Sequence, residues 1–240
     1  LEPIHTASNE TKNIAAEHIL SFYKTFDDIR ENNYDGMIIT GAPVELMDFE
    51  EVEYWDEIKE ILEWTKSHVT STVHVCWGAQ AALYYHYGIN KVRLPQKLSG
   101  VYLHKKEDTK NELLRGMDDE FYIPHSRNTT VLKEEIESTG SIDIRAESDE
   151  AGVFALEAGD GKQIFLMGHP EYDTETLNNE FLRDLKAGLN PEIPANYYPD
   201  NDYHKKPINK WRSQASLIYI NWINHVYQVT PYDLNEIGKC

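Results

Sequence analysis

The sequence is poor in thiols, in long apolar runs and in positive charge, and each shortage excludes something. Two cysteines in 240 residues, Cys76 and the terminal Cys240, cannot form a disulfide framework, and no CxxC or mixed His/Cys spacing marks a metal centre. A reducing, cytoplasmic setting is the natural reading. No apolar run approaches the roughly 18 residues of a membrane helix, and no basic start with an apolar core marks a secretory signal. Lys and Arg number 23 against 41 Asp and Glu, for a formal net charge of -18. Nucleic acids and anionic membranes need a basic face, so neither is expected as a partner. An anionic small molecule needs only a few local cations and stays possible. No repeat, low-complexity tract or linker-like break interrupts the chain, so residues 1–240 read as one domain. The first residue is Leu1, not Met, which reads as a trimmed or partial start.

What is present is alternation. Ile14 to Ile29 has Ile19, Leu20, Phe22, Tyr23 and Phe26 at helical spacing. Met37, Ile38 and Ile39 form a short apolar run ending in Thr40-Gly41-Ala42-Pro43, a buried strand feeding a loop. Residues 49–68 form a second helix with Val52, Trp55, Ile58, Ile61 and Leu62 inside. "VTSTVHV" is a strand, and "GAQAALYYHYG" a helix stopped by Gly88. This order predicts an α/β fold, a doubly wound, mostly parallel sheet with flanking helices. The middle of the chain reads as shorter strands, with Gly152 to Ala158 and Gln163 to Gly168 as a hairpin across Gly159-Asp160-Gly161. A helix capped by Asp173 or Thr174 and stopped by Gly188 follows, then a Pro/Asn/Tyr/Asp loop to Pro207 and a last helix.

In such sheets ligands gather at the carboxyl ends of strands. Cys76 stands there, between "VTSTVHV" and the next helix, with small Gly78 and Ala79 after it. The local sequence leaves two readings open. Cys76 is a small buried hydrophobe, or a nucleophile on a sharp turn, where the free N–H groups of a helix start favour a thiolate. The stretch "IFLMGHPEYD" adds a His at another strand end, His169, and a carboxylate two residues on, Glu171. A base oriented by a carboxylate is what a thiol nucleophile requires, so a Cys-His-Glu triad is expected.

"CWGAQAALYYHYG" together with "GHPEY" resembles the class I glutamine amidotransferase-like (flavodoxin-like) fold. More narrowly, "TGAPVE", "VEYWDEI", "TSTVHVCWGAQAALYYHYGI", "PHSRNT" and "KPINKWRSQASLIYINWIN" resemble the homoserine O-acyltransferase family of methionine biosynthesis, over nearly the whole chain. The resemblance implies that Cys76 carries the acyl group, that His169 is the base and that Glu171 completes the triad. It implies that Lys97 and Ser126 contact substrate and that Arg183 pairs with the homoserine carboxylate, a bidentate task suited to a guanidinium. It further implies that Glu45 selects the acyl donor. Glycine at that position leaves room for a succinyl carboxylate. Glutamate fills the space and repels a second carboxylate, so acetyl-CoA is the expected co-substrate and succinyl-CoA the alternative. The substrates would be L-homoserine and acetyl-CoA, with no metal and no permanently bound cofactor. A homodimer is implied as well. Lys97, Lys105 and Lys106 are the cations first considered for CoA.

The oxyanion donors would be backbone N–H groups: Trp77, and Gly41 or Ala42, since Pro43 has none. Members of the family begin with a further N-terminal segment containing a core strand, which this sequence lacks. A glutaminase of the same fold would use the same triad, but its elbow usually reads G-x-C-x-G, whereas this one reads Val75-Cys76-Trp77-Gly78. A non-catalytic member of the fold, or a binding module with an inert core cysteine, completes the alternatives.

Overall fold

The computed structural model describes residues 1–8, 22–107 and 111–239. Half of the first expected helix, residues 14–21, lies outside the described residues, as does Cys240. Its described end, Phe26–Ile29 (α1), is helical, but Lys24 before it bridges Ile4 in parallel, so the expected run is not one continuous helix.

A seven-stranded sheet runs through the molecule in the order β1-β2-β7-β6-β5-β3-β4. The strands are Tyr34–Ile39 (β1), Val69–Val75 (β2), Val92–Lys106 (β3), Glu120–Thr130 (β4), Ile142–Ser148 (β5), Gly152–Ala158 (β6) and Gln163–Leu166 (β7). The helices are Trp55–His68 (α2), Trp77–Tyr87 (α3), Lys133–Thr139 (α4), Thr176–Lys186 (α5) and Arg212–Val229 (α6).

The expected α/β class holds, but the strand directions differ from the mostly parallel sheet that the sequence suggested. Among the described strands only β1–β2 and β2–β7 pair in parallel; the other strand pairings are antiparallel. The cause is connection length. Parallel neighbours need a crossover, and here α2 supplies one between β1 and β2. The chain from β5 through β7 turns back by short loops, which can join only antiparallel strands. The hairpin across Gly159-Asp160-Gly161 is one of them.

β2 lies inside the sheet and is buried along its length except at Thr70. Its polar residues are accommodated individually. Ser71 Oγ donates to Gly161 O (2.6 Å) and accepts from Trp222 Nε1 (2.9 Å). His74 Nδ1 bonds Ile164 O at 3.0 Å. On one face Phe49, Trp55, Ile58 and Leu62 pack with Trp77, Leu83 and Phe165. On the other, Ile218, Trp222 and Val226 of α6 meet Val73, Val75, Phe154 and Leu166. Each such large side chain contributes about 1.5–3 kcal/mol when fully buried, and this two-sided packing holds the carboxyl end of β2 in place.

A third cluster fixes the remaining wall of the site. Tyr197, Tyr198 and Trp211 bury against Val101 and Leu177. The Pro/Asn/Tyr/Asp loop is therefore an anchored strap. Tyr197 Oη accepts from Asn178 N (3.1 Å) and donates to Thr174 O, while Trp211 Nε1 donates to Tyr172 O (2.9 Å). Helix α5 begins after Glu175, a residue or two beyond the expected cap.

Candidate active site

β2 delivers Cys76 to the N-terminus of α3 in an unusual conformation, φ 52° and ψ -116°. Such backbone in a non-glycine residue costs on the order of 1–3 kcal/mol and persists only where the surroundings enforce it. Two glycines make the turn sterically possible. A Cβ on Gly78 would lie 2.8 Å from both Ile39 O and Thr40 O, so the first turn of α3 sits directly on the end of β1. A Cβ on Gly41 would lie 3.2 Å from Cys76 Cβ and 3.7 Å from its Sγ. The Gly41–Ala42 backbone therefore borders the sulfur. Trp77 supplies the first N–H of α3, which the helix itself does not use. Trp77 and the Gly41 loop thus flank Cys76.

His169 follows β7 and is pinned by its own N–H, which donates to Pro124 O at 2.8 Å. Its Nδ1 bonds Glu171 Oε1 at 2.7 Å, so Nε2 is the nitrogen left for the sulfur. Burial lowers the pKa of His169, but hydrogen bonds to Cys76 and Glu171, with their charges, outweigh burial and raise it to about 10. Cys76 and His169 are both buried, at 7% exposure each. The three residues read as a triad are therefore in one place, with His169 next to Cys76 and bonded to Glu171.

Around them lies a polar wall that the sequence reading largely missed. The ring of Tyr172 stacks on His169 at 4.2 Å between centroids. Its hydroxyl donates to Glu180 Oε1 at 2.7 Å; burial and the Glu180 charge push its pKa up, so it remains a donor. Ser126 Oγ donates to Glu180 Oε2 at 2.5 Å. Lys97 Nζ lies 3.8 Å from Glu180 and 3.3 Å from Asp184. Lys97 and Ser126 are thus brought together by Glu180, a residue with no signal of its own beyond its helical spacing from Arg183 and Asp184. A small cavity of about 110 Å³ adjoins this wall, lined in part by Lys97, Ser99, Tyr102 and Asp184.

Arg183 stands apart. Its side chain is 68% exposed and its Nη2 pairs with Asp184 Oδ1 at 2.8 Å. Burial works against ionisation of Asp184, yet Arg183 and Lys97 hold its carboxyl below the usual range. Arg183 reaches the wall through Asp184, on its outer side. Lys105 and Lys106 do not reach it. They pair with Asp149 and Asp119, eight or nine residues beyond Lys97 along β3, about 26 Å or more at the usual strand rise.

Glu45 is fixed by β4. Its Oε2 accepts from Asn128 N (2.8 Å) and Thr129 Oγ1 (3.3 Å), and its Oε1 from Asn128 Nδ2 (2.6 Å). The single Thr129 hydroxyl proton is shared between Glu45 and Gln80 Oε1 of α3, the latter nearer at 2.8 Å. The carboxylate is thus held through β4 and the first turn of the helix that starts at Cys76.

A strained cysteine between a parallel strand and a helix, with a His-x-Glu pair at the end of the neighbouring parallel strand, defines the class I glutamine amidotransferase-like fold. Solved structures agree. A glutamine amidotransferase from Thermotoga maritima superposes with a TM-score of 0.60, covering 94% of this chain and 97% of that one at 11% identity. A glutamine amidotransferase from Methylobacillus flagellatus gives 0.55, covering 93% and 95% at 15% identity. Within this fold the chain belongs to the homoserine O-succinyltransferase family, which it matches over residues 1–232. It is 55% identical over 234 residues to a homoserine O-acetyltransferase of Lachnospira eligens, covering 97% of this chain and 76% of the relative. It is 57% identical over 231 residues to one of Agathobacter rectalis, covering 96% and 74%. The family acts on small molecules, and no described helix is long and apolar enough to cross a membrane.

Proposed function

We propose that this chain is a homoserine O-acetyltransferase of methionine biosynthesis, moving acetyl from acetyl-CoA to the hydroxyl of L-homoserine through a thioester on Cys76. The observation that carries the reading is strained Cys76 beside His169, itself bonded to Glu171, in a chain more than half identical to enzymes of that name.

His169 takes the thiol proton, and Glu171 stabilises the imidazolium. The sulfur attacks the acetyl carbonyl. The oxyanion is received by N–H groups of Trp77 and of Gly41 or Ala42. Collapse of the adduct expels CoA, whose sulfur regains the proton from His169. Homoserine then binds beside Lys97 and Ser126. The acidic pair Glu180 and Asp184 suits its ammonium group, and Arg183 is the group for its carboxylate. His169 removes the hydroxyl proton as the oxygen attacks the thioester, and breakdown of that adduct releases O-acetyl-L-homoserine and restores Cys76.

The fixed Glu45 carboxylate supports acetyl over succinyl, because a second carboxylate in the same confined place is repelled. A cytoplasmic setting, a homodimer and a single acyltransferase unit over residues 1–240 belong to the same reading. The test is direct. The protein is incubated with homoserine and acetyl-CoA, succinyl-CoA or neither, and the product is weighed by mass spectrometry. The expected product is the acetyl ester. Cys76→Ala should give no product and no acetylated protein. Succinyl ester as the main product would transfer the assignment to the other donor, and ammonia release from glutamine would favour the glutaminase reading.

A further inference from the structure

Behind the triad, β4 carries a charged side chain that acyl transfer as described leaves unused. Arg127 is fully buried. Its Nη1 donates to Thr129 O (2.8 Å), its Nη2 to Ala151 O (2.5 Å) and its Nε to His125 Nδ1 (3.4 Å). All three acceptors are neutral. Among the described residues, no carboxylate lies within ion-pair distance of the guanidinium. An interior cation with no counter-ion costs several kcal/mol, so its retention calls for a reason.

The neighbouring histidines do not share its charge. His104 Nδ1 bonds Tyr102 O (2.9 Å), and its Nε2 faces His125 Nε2 at 3.0 Å. This chain has one consistent proton order. Arg127 donates to His125 Nδ1, His125 Nε2–H donates to His104 Nε2, and His104 Nδ1–H donates to the Tyr102 carbonyl. Both rings are then neutral. Burial agrees, holding His104 at about 3 and His125 well below its ordinary value. Arg127 is therefore the cation of this buried group. Burial lowers its own pKa to about 10, which leaves it charged at neutral pH.

The guanidinium is aimed at the nucleophile's helix. The Thr129 carbonyl that receives Nη1 also accepts from Gln80 Nε2 (3.3 Å), and Gln80 N bonds Cys76 O (3.1 Å). The Cys76 sulfur and the Glu45 carboxylate are near enough to Arg127 for their charge to bear on it. Glu45 is already taken up by Asn128 and Thr129. The charged and titratable groups around the sulfur also include His169, Glu171 and, stacked on His169, Tyr172.

We propose that Arg127 is a positioning residue for acyl transfer, a fixed interior countercharge that favours negative charge at the Cys76 sulfur and on the adduct formed there. The proposal rests on Cys76 being the nucleophile. The test compares alkylation of Cys76 by anionic iodoacetate and neutral iodoacetamide, mapped by mass spectrometry, in the wild type, Arg127→Gln and Arg127→Lys. Glutamine retains N–H donors for the carbonyls but not the charge; lysine retains the charge. Loss of one unit charge acting on the sulfur through the protein interior predicts about a tenfold fall in the iodoacetate-to-iodoacetamide rate ratio for Arg127→Gln. Arg127→Lys should stay within about threefold of wild type, and kcat should fall in the glutamine variant with little change in KM. An unchanged ratio in Arg127→Gln overturns the proposal while leaving the nucleophile intact. A Cys76 inert to both reagents in the folded wild type overturns the nucleophile assignment itself. Should the glutamine variant not fold, the wild type decides alone. Its ratio must be higher folded than in urea, despite a net charge of -18, and an equal or lower ratio refutes the countercharge.

Discussion

Replacing Glu45 tests whether charge or volume sets the acyl donor. The carboxylate is held by three donors, Asn128 N, Asn128 Nδ2 and Thr129 Oγ1, at 2.8, 2.6 and 3.3 Å. A succinyl carboxylate entering this region meets a fixed like charge. At a separation of about 5 Å and an effective dielectric of about 20, the repulsion is about 3 kcal/mol, or roughly two orders of magnitude in kcat/KM. Glu45→Gly removes the charge and the volume, and frees the same three donors for an incoming carboxylate. Glu45→Gln removes the charge alone. Steady-state kinetics with both acyl-CoA donors should show the succinyl-to-acetyl ratio of kcat/KM rising about a hundredfold or more in Glu45→Gly, and by a smaller but clear factor in Glu45→Gln. If only the glycine variant responds, volume is the filter. If neither ratio moves, Glu45 does not select the donor. A melting curve is the control, since the freed Asn128 N–H costs about 1–3 kcal/mol if nothing replaces the carboxylate.

His169 should titrate far above the ordinary histidine range, near 10, with a lower midpoint in Cys76→Ala, both read from imidazole NMR signals. Because its folded pKa is raised, the stability it contributes is fully present below about 6.5 and is lost as pH rises toward about 10. The wild type should therefore lose more melting temperature over that window than His169→Gln, and parallel curves would refute the linkage. Gly78→Ala should destabilise by about 1–3 kcal/mol in urea titrations, because its new methyl meets two backbone oxygens at 2.8 Å; a neutral effect would mean that the elbow is not sterically locked. Glu180→Gln should raise KM for homoserine about tenfold or more while leaving thioester formation from acetyl-CoA close to wild type. A loss confined to thioester formation would place Glu180 with the nucleophile instead.

Much of the fold was legible because its signals are local. α2 and α3 show helical spacing, β2 is a β-branched run, and the β6–β7 hairpin has Gly-Asp-Gly at its turn. Strand direction was not legible, because it depends on which strands become neighbours. Cys76, His169 and Glu171 could be named from their positions at strand ends. Glu180, Tyr172 and Arg127 could not. Each has an ordinary sequence context: Glu180 and Arg127 matter through partners far along the chain, Ser126 and Ala151, and Tyr172 through its stacking on His169 and its bond to Glu180.

By itself the sequence determined the elements, the turn at Cys76 and the residue types needed for thiol chemistry, since these follow from spacing, small residues and side-chain chemistry within a few positions. Only the tertiary structure decided how charge is arranged around that thiol. It set the imidazole of His169 between a sulfur and a carboxylate, joined Lys97 and Ser126 through Glu180, left Arg183 on the outer side of that wall, and buried Arg127 without a counter-ion. Electrostatic energies depend on distance and burial, and both exist only once distant segments have packed together.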